Sequence, residues 1–126
     1  MHTSSVGAGT AQIAELALVD RGEATVETRL TYDGLRPVML SVSKRGGRYK
    51  ITDDGAAVAA AGASGWAVAY PDQIALGAYS VNVSRQGVVW LPAVSPSNDW
   101  LAKVCDLVSD GSVALYERLL ESEDTT

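Results

Sequence analysis

Arg36-Pro37-Val38-Met39-Leu40-Ser41-Val42-Ser43-Lys44-Arg45-Gly46-Gly47-Arg48-Tyr49-Lys50-Ile51-Thr52-Asp53-Asp54-Gly55-Ala56-Ala57-Val58-Ala59-Ala60-Ala61-Gly62 is the stretch from which the rest of the chain can be placed. Val38, Leu40 and Val42 alternate with Met39, Ser41 and Ser43, the period-two pattern of a half-buried strand. Pro37 lacks an amide donor and so belongs at the start of that strand. Gly46-Gly47, set among basic residues, reads as a turn. Beyond it Tyr49 and Ile51 face inward while Arg48, Lys50 and Thr52 face outward. Asp53-Asp54-Gly55 then opens a helix that is almost all alanine, able to lie close on a sheet but burying little area per residue, and Gly62 ends it.

Upstream, Val26, Thr28, Leu30 and Tyr32 alternate with Thr25, Glu27, Arg29 and Thr31, giving a strand, and Asp33-Gly34 is a hairpin turn signal. Before that strand, Thr10 is a good N-cap, Ile13, Leu16 and Ala17 keep helical spacing, and Gly22 sits where a helix would stop. Residues 1–10 are small and polar and read as a flexible tail. Downstream, Trp66, Val68 and Tyr70 alternate weakly, and periodicity leaves residues 63–80 open between strand and helix. Ile74, Ala75 and Ala78 have the spacing of a short helix. Val81 and Val83, the turn Arg85-Gln86-Gly87 and the run Val88 to Val94 form a second hairpin, with Pro92 placing its later strand at a sheet edge. Leu101, Val104, Val108, Leu115 and Leu119 share one face of a final helix, widened by Trp100, Leu107 and Tyr116. Gly111 costs about 1 kcal/mol against alanine inside a helix, which makes Ser109-Asp110-Gly111-Ser112 a candidate break; the reading kept is one helix, kinked there if anywhere. Residues 122–126 form an acidic tail.

These elements predict one α+β domain over residues 11–121. Its sheet is small and mainly antiparallel, with about five strands: a three-stranded meander plus a second hairpin, packed by helices in the order α-β-β-β-α-(α)-β-β-α. No internal repeat is legible. At 126 residues one apolar core is the expectation, and 47% hydrophobic with 20% charged residues is a globular composition. No apolar run approaches the roughly 20 residues of a membrane span. The first nine residues contain no Lys or Arg and lead into no apolar block, so nothing there reads as an export signal. With a single cysteine, Cys105, no internal disulfide is possible. A soluble, cytoplasmic protein is the expectation. A net charge of -5 argues against wrapping nucleic acid over a broad surface, leaving only a local basic patch for that purpose.

Arg45-Gly46-Gly47-Arg48-Tyr49-Lys50-Ile51-Thr52-Asp53-Asp54-Gly55 resembles the signature of an uncharacterised bacterial and phage-borne domain family, in which a glycine turn and a short strand lead into Leu-Ser-Asp-Asp-Gly. Ile51 and Thr52 stand here for the Leu and Ser. The order of elements is similar from about Ala11 to Glu121, including Leu76-Gly77 before the second hairpin. The resemblance implies a phage- or mobile-element-associated domain of unknown function and carries no catalytic residue over.

Four candidate features remain. Asp53, Asp54 and Gly55 read as a helix-capping motif, since carboxylates accept backbone N–H bonds and oppose the positive end of a helix; two adjacent carboxylates could instead supply oxygens to Mg²⁺ or Ca²⁺. Arg36, Lys44, Arg45, Arg48 and Lys50 cluster around the glycine turn, either as a solvated face or as a dock for an acidic protein surface or a nucleic-acid backbone. His2 lies in the tail, so no histidine base is rigidly placed for a Ser or Cys nucleophile, and Cys105 reads as a small buried hydrophobe. Trp66, Trp90 and Trp100 read as core, with at most one of them marking an interface. The leading expectation is therefore a non-enzymatic macromolecule-binding domain that needs no cofactor. Its alternative is a divalent-metal-dependent phosphoesterase or nuclease using Asp53 and Asp54. The expected partner is a protein or a second copy, with a homodimer formed through the last helix or the second hairpin.

Overall fold

The structure is a computed structural model, and it describes residues 6, 8–45, 48–62, 70–93 and 98–124. Among these residues three helices and six strands follow in the order α1 (Ala8–Arg21), β1 (Glu23–Thr31), β2 (Pro37–Arg45), β3 (Arg48–Thr52), α2 (Ala56–Ala61), β4 (Gln73–Leu76), β5 (Tyr79–Val83), β6 (Val89–Ala93) and α3 (Asn98–Asp124). The strands form one antiparallel sheet in the order β1-β2-β3-β6-β5-β4. Two meanders, each followed by a helix, thus lie side by side through the β3–β6 pair. The same connectivity occurs twice, although the first meander's strands have 9, 9 and 5 residues against 4, 5 and 5, and α2 has 6 residues against 27 in α3. Unequal lengths of that kind leave no repeat in the sequence.

The α+β class and the antiparallel sheet packed by helices agree with the sequence reading. The sixth strand is the addition: Gln73–Leu76, expected as a short helix, pairs with β5 through a turn at Gly77, whose φ is +66°. Four residues are too few for periodicity to separate strand from helix. Gly77 is what the turn requires, because a positive φ is nearly free for glycine. Residues 63–69, where Trp66 and Val68 stand, lie outside the described residues.

The core lies between one sheet face and the helices. Val26, Val38, Leu40, Val42, Ile51, Val81 and Val89 from the strands meet Leu18 of α1 and Val104, Cys105, Val108 and Leu115 of α3, all almost fully buried. α3 touches all six strands and both other helices. It runs unbroken through Gly111, the single helix of the sequence reading. The glycine is there for close approach: a Cβ on residue 111 would lie 2.4 Å from Val81 Cγ2 and 3.2 Å from Val89 Cγ1. Among the described residues the opposite sheet face carries no helix. Thr25, Ser41, Thr52, Trp90, Asn82 and Gln73 form one row across all six strands there, each exposed or half-buried.

Four further expectations change. β6 is internal rather than an edge, yet its pairing with β5 stops at Trp90, so Pro92 is paired on the β3 side only and its missing N–H faces no partner strand. The Asp33-Gly34 turn is a five-residue loop, in which the Asp33 carboxylate accepts the N–H groups of Leu35 and Arg36. At the start of the chain, helix reaches back to Ala8 and Val6 is 3% exposed, inside the stretch read as a tail. At the other end, α3 continues to Asp124 through part of the expected acidic tail.

Candidate functional site

Both features that carried the sequence reading lie at the ends of β3, the carboxylate pair at one end and the basic turn at the other. Asp53 closes the strand in a particular way. Its N–H donates to the Val89 carbonyl, continuing the β3–β6 ladder, but its own carbonyl turns away to accept the Ala56 N–H. The ladder bond thus lost is replaced by the side chain: Asp53 Oδ1 accepts the Val89 N–H at 3.0 Å and the Gly55 N–H at 2.9 Å. Asp54 (φ +53°) and Gly55 (φ +80°) fill the two central positions of the resulting turn. Positive φ at both is the primed-turn geometry for which Asp-Gly is suited.

The second oxygen of Asp53 reaches α3. Ser112 Oγ donates to Asp53 Oδ2 at 2.7 Å, and the Tyr32 hydroxyl stands 2.6 Å from the same Oγ. Ser112 has one proton, committed to the carboxylate, so Tyr32 is the donor in the outer bond. The chain Tyr32–Ser112–Asp53 therefore ties the β1–β2 loop, α3 and the β3–α2 turn together inside the core, with Asp53 at 1% exposure. Burial pushes the Asp53 carboxyl above its ordinary value, outweighing the opposing effect of the bonds from Ser112, Gly55, Val89 and Ala57. Burial likewise pushes Tyr32 up to about 12, against the opposing effect of its Ser112 bond.

Asp53 thus bonds the start of α2, as a cap does, and much else besides. Asp54 does not cap. Its side chain is exposed on the other side of the turn and accepts a short hydrogen bond from Ser41 Oγ, while its N–H donates to Thr52 Oγ1. The two carboxylates point to opposite sides and do not converge on a common ion position. Among the described residues no group of three His, Cys, Asp or Glu side chains could hold a metal.

At the other end of β3 the basic residues separate. Arg36 sits at the far end of β2, nine residues or about 30 Å from Arg45 at ~3.3 Å per residue. It is ion-paired with Asp33 at 3.0 Å and bonded to the Ala60 carbonyl, so it is not part of the cluster. That contact, after the N–H bonds from Arg36 and Leu35, helps hold the Asp33 carboxyl down at about 2. The register places Lys44 opposite Tyr49, Arg45 opposite Arg48 and Lys50 opposite Ser43. Strand alternation then puts Lys44 on the helix-covered side, its ammonium 5.9 Å from the Tyr49 ring, and Lys50 on the open face, 5.0 Å from the Trp90 ring centroid. Arg48 alternates with Tyr49 and shares the open side with Lys50. The cations wrap the hairpin end, and Gly46 and Gly47 between them lie outside the described residues.

Tyr49, 8% exposed, is core as read. Trp90 is not: it stands half-buried at the centre of the open face, beneath Lys50. The side chains of Trp66, Trp100, His2 and Arg45 lie outside the described residues. Cys105 is fully buried and its thiol is pushed up to about 12 by burial, the environment of an inert packing residue. Sequence reasoning missed Ser112 and Tyr32. A signal for Ser112 was present, since it falls on the Val104, Val108, Leu115 and Leu119 phase of α3, where a polar side chain needs a buried partner. No family model matches the chain, and no curated protein and no solved structure is significantly similar to it.

Proposed function

We propose that this chain is a non-enzymatic domain that binds an acidic macromolecule through the β2–β3 hairpin and the adjoining open sheet face. One observation carries the reading. Lys44, Arg48 and Lys50 are exposed and form no ion pair among the described residues, in a chain of net charge -5. Cations without carboxylate partners need break no ion pair of their own to meet an incoming anion. Beside them the open row of Ser41, Thr52, Asn82 and Trp90 offers hydroxyls, an amide and an indole face on rigid strands, the composition of an adaptable polar contact surface. Asp53, which a catalytic reading needs as an acid or a ligand, has its oxygens engaged by Val89, Gly55 and Ser112. The resemblance of Arg45–Gly55 to a bacterial and phage-borne family sets this binding role in a mobile-element context.

Fluorescence anisotropy with two labelled polyanions, poly-L-glutamate and a single-stranded oligodeoxynucleotide, tests the reading. At least one should bind, with an affinity that falls as salt rises. Combining Arg48→Glu with Lys50→Glu should abolish binding, and Arg36→Glu should leave it intact. Binding that survives the double reversal, or no binding to either polyanion at low salt, overturns the proposal.

A further inference from the structure

Charge is distributed unevenly over the open sheet face. Its β1 side carries the exposed Glu23 and Glu27, and the exposed Asp54 carboxylate stands at the adjoining turn. On β3 the sign reverses, with Arg48 and Lys50 exposed on that face. Beyond β3 charge disappears. β6 presents Trp90 and Pro92, β5 and β4 present the paired Asn82 and Gln73, and residues 73–84 contain no charged side chain at all. Gln73 Nε2 donates to Asn82 Oδ1 at 3.3 Å, which leaves Gln73 Oε1 as an acceptor and Asn82 Nδ2 as a donor with no partner among the described residues.

Resting on the binding role proposed above, we infer that the acidic macromolecule is a single-stranded nucleic acid, laid across β3, β6 and β5 with its phosphates on Arg48 and Lys50 and a base stacked on Trp90. The uncharged half of the face decides between this ligand and an acidic protein. A carboxylate-rich peptide would use the two cations and gain nothing from the indole, the proline and the amides beside them. A nucleotide uses both parts, because its phosphate is the anion while its base has a π-face for Trp90 and polar edges for Asn82 and Gln73. Lys50 and Trp90 are placed for one nucleotide: the ammonium lies 5.0 Å from the ring centroid. A cation–π contact at an exposed site is weak, so a base can take the place of Lys50 over the ring while the ammonium turns to the phosphate. Trp90 is half-buried on a rigid strand and gives up little freedom on stacking.

The same charges exclude a duplex. Base pairing closes the base faces against Trp90 and leaves only phosphates, and two cations flanked by Glu23 and Glu27 in a chain of net charge -5 do not hold a duplex on phosphates alone. The carboxylates on the β1 side also set the direction of the strand, from Lys50 toward Gln73. In the order β3-β6-β5-β4 that path crosses three strand spacings, about 14 Å at ~4.8 Å each. The site is therefore short, at the lower end of the ~4–16 nucleotides that single-strand modules cover.

Anisotropy titrations with three labelled strands of equal length, oligodeoxythymidine, oligouridine and an abasic deoxyribose-phosphate strand, test the inference. At least one base-bearing strand should bind at least about 5-fold more tightly than the abasic one, and the two base-bearing arms show whether the 2′-hydroxyl is read. Trp90→Ala should bring the base-bearing strand down to the abasic affinity, a loss of about 5- to 150-fold, without changing the affinity for the abasic strand. Trp90→Phe keeps an aromatic face and should retain much of the preference. The comparison of strands on the wild type holds whether or not a variant folds. Equal affinity for base-bearing and abasic strands overturns the inference, as does a preference that survives Trp90→Ala or a duplex bound as tightly as the single strand. Binding of poly-L-glutamate with neither base-bearing strand bound overturns it too, while the hairpin's role as an anion dock stands. No polyanion bound at low salt overturns both.

Discussion

Replacing Gly111 by alanine separates two accounts of the same residue. In an open helix interior the change should stabilise by about 1 kcal/mol, because alanine is the better helix former. Here the added Cβ would lie 2.4 Å from Val81 Cγ2 and 3.2 Å from Val89 Cγ1. Ordinary carbon contacts lie near 3.5–4.0 Å, so something must move by more than ~1 Å. Neither neighbour yields easily: Val81 and Val89 are fully buried, and β-branched side chains are stiff at χ1. Overpacking of this kind costs about 1–3 kcal/mol, which the propensity gain only partly offsets, leaving a net loss of about 1 kcal/mol. Urea unfolding measures it. Repeating the change in a Val81→Ala background removes the clashing methyl, and there Gly111→Ala should stabilise, giving a coupling of about 1–3 kcal/mol between the two sites. Gly111→Ala more stable than wild type in the native background would refute the packing account of α3.

Asp53→Ala should cost about 1–3 kcal/mol in urea unfolding, because it leaves the Val89 N–H and the Ser112 hydroxyl buried without acceptors. Asp53→Asn keeps the acceptor at Oδ1 and gives Ser112 a donor, so it should be at least as stable as wild type at neutral pH. The pH dependence follows from the raised folded-state pKa: the wild type loses stability as pH climbs from the unfolded carboxyl value of about 3.9 through the folded one, and Asn should flatten that slope. Asp54, at φ +53°, should accept glycine at little or no cost, while Asp54→Ala should lose about 1 kcal/mol by the left-handed conformation alone; equal losses for both would restore a capping role. Trp90→Ala should change the melting temperature little for so large a side chain, since Trp90 is on the open face; a loss of about 3–5 kcal/mol would place it in the core.

What was legible in the sequence was whatever alternated. Val38-Leu40-Val42 and Tyr49-Ile51 gave two strands their inward faces, and the Val104 to Leu119 spacing gave α3 its buried stripe. Trp90 was misplaced because aromatics suit either side of a sheet, and only pairing with Thr52 and Asn82 shows which side it takes. Pro92 misled because it was read as the property of a whole strand, whereas pairing is lost residue by residue. The Asp53 site was half legible. Its position before Gly55 announced a turn and a cap, but its bonds to Val89 and Ser112 span 36 and 59 residues, and local spacing carries no trace of them. The basic cluster looked continuous for the same reason: alternation sends Lys44 and Lys50 to opposite faces, and β2 carries Arg36 away from both.

Amide and indole NMR shifts during titration with a labelled polyanion test the binding role most directly, because they report where the ligand sits as well as whether it binds. The account predicts shifts at Lys44, at Arg48 to Thr52 and at the Trp90 indole N–H, with residues around Asp33 and Arg36 unmoved. Shifts centred on α1 or on the β1–β2 loop, with the β2–β3 hairpin silent, would contradict it.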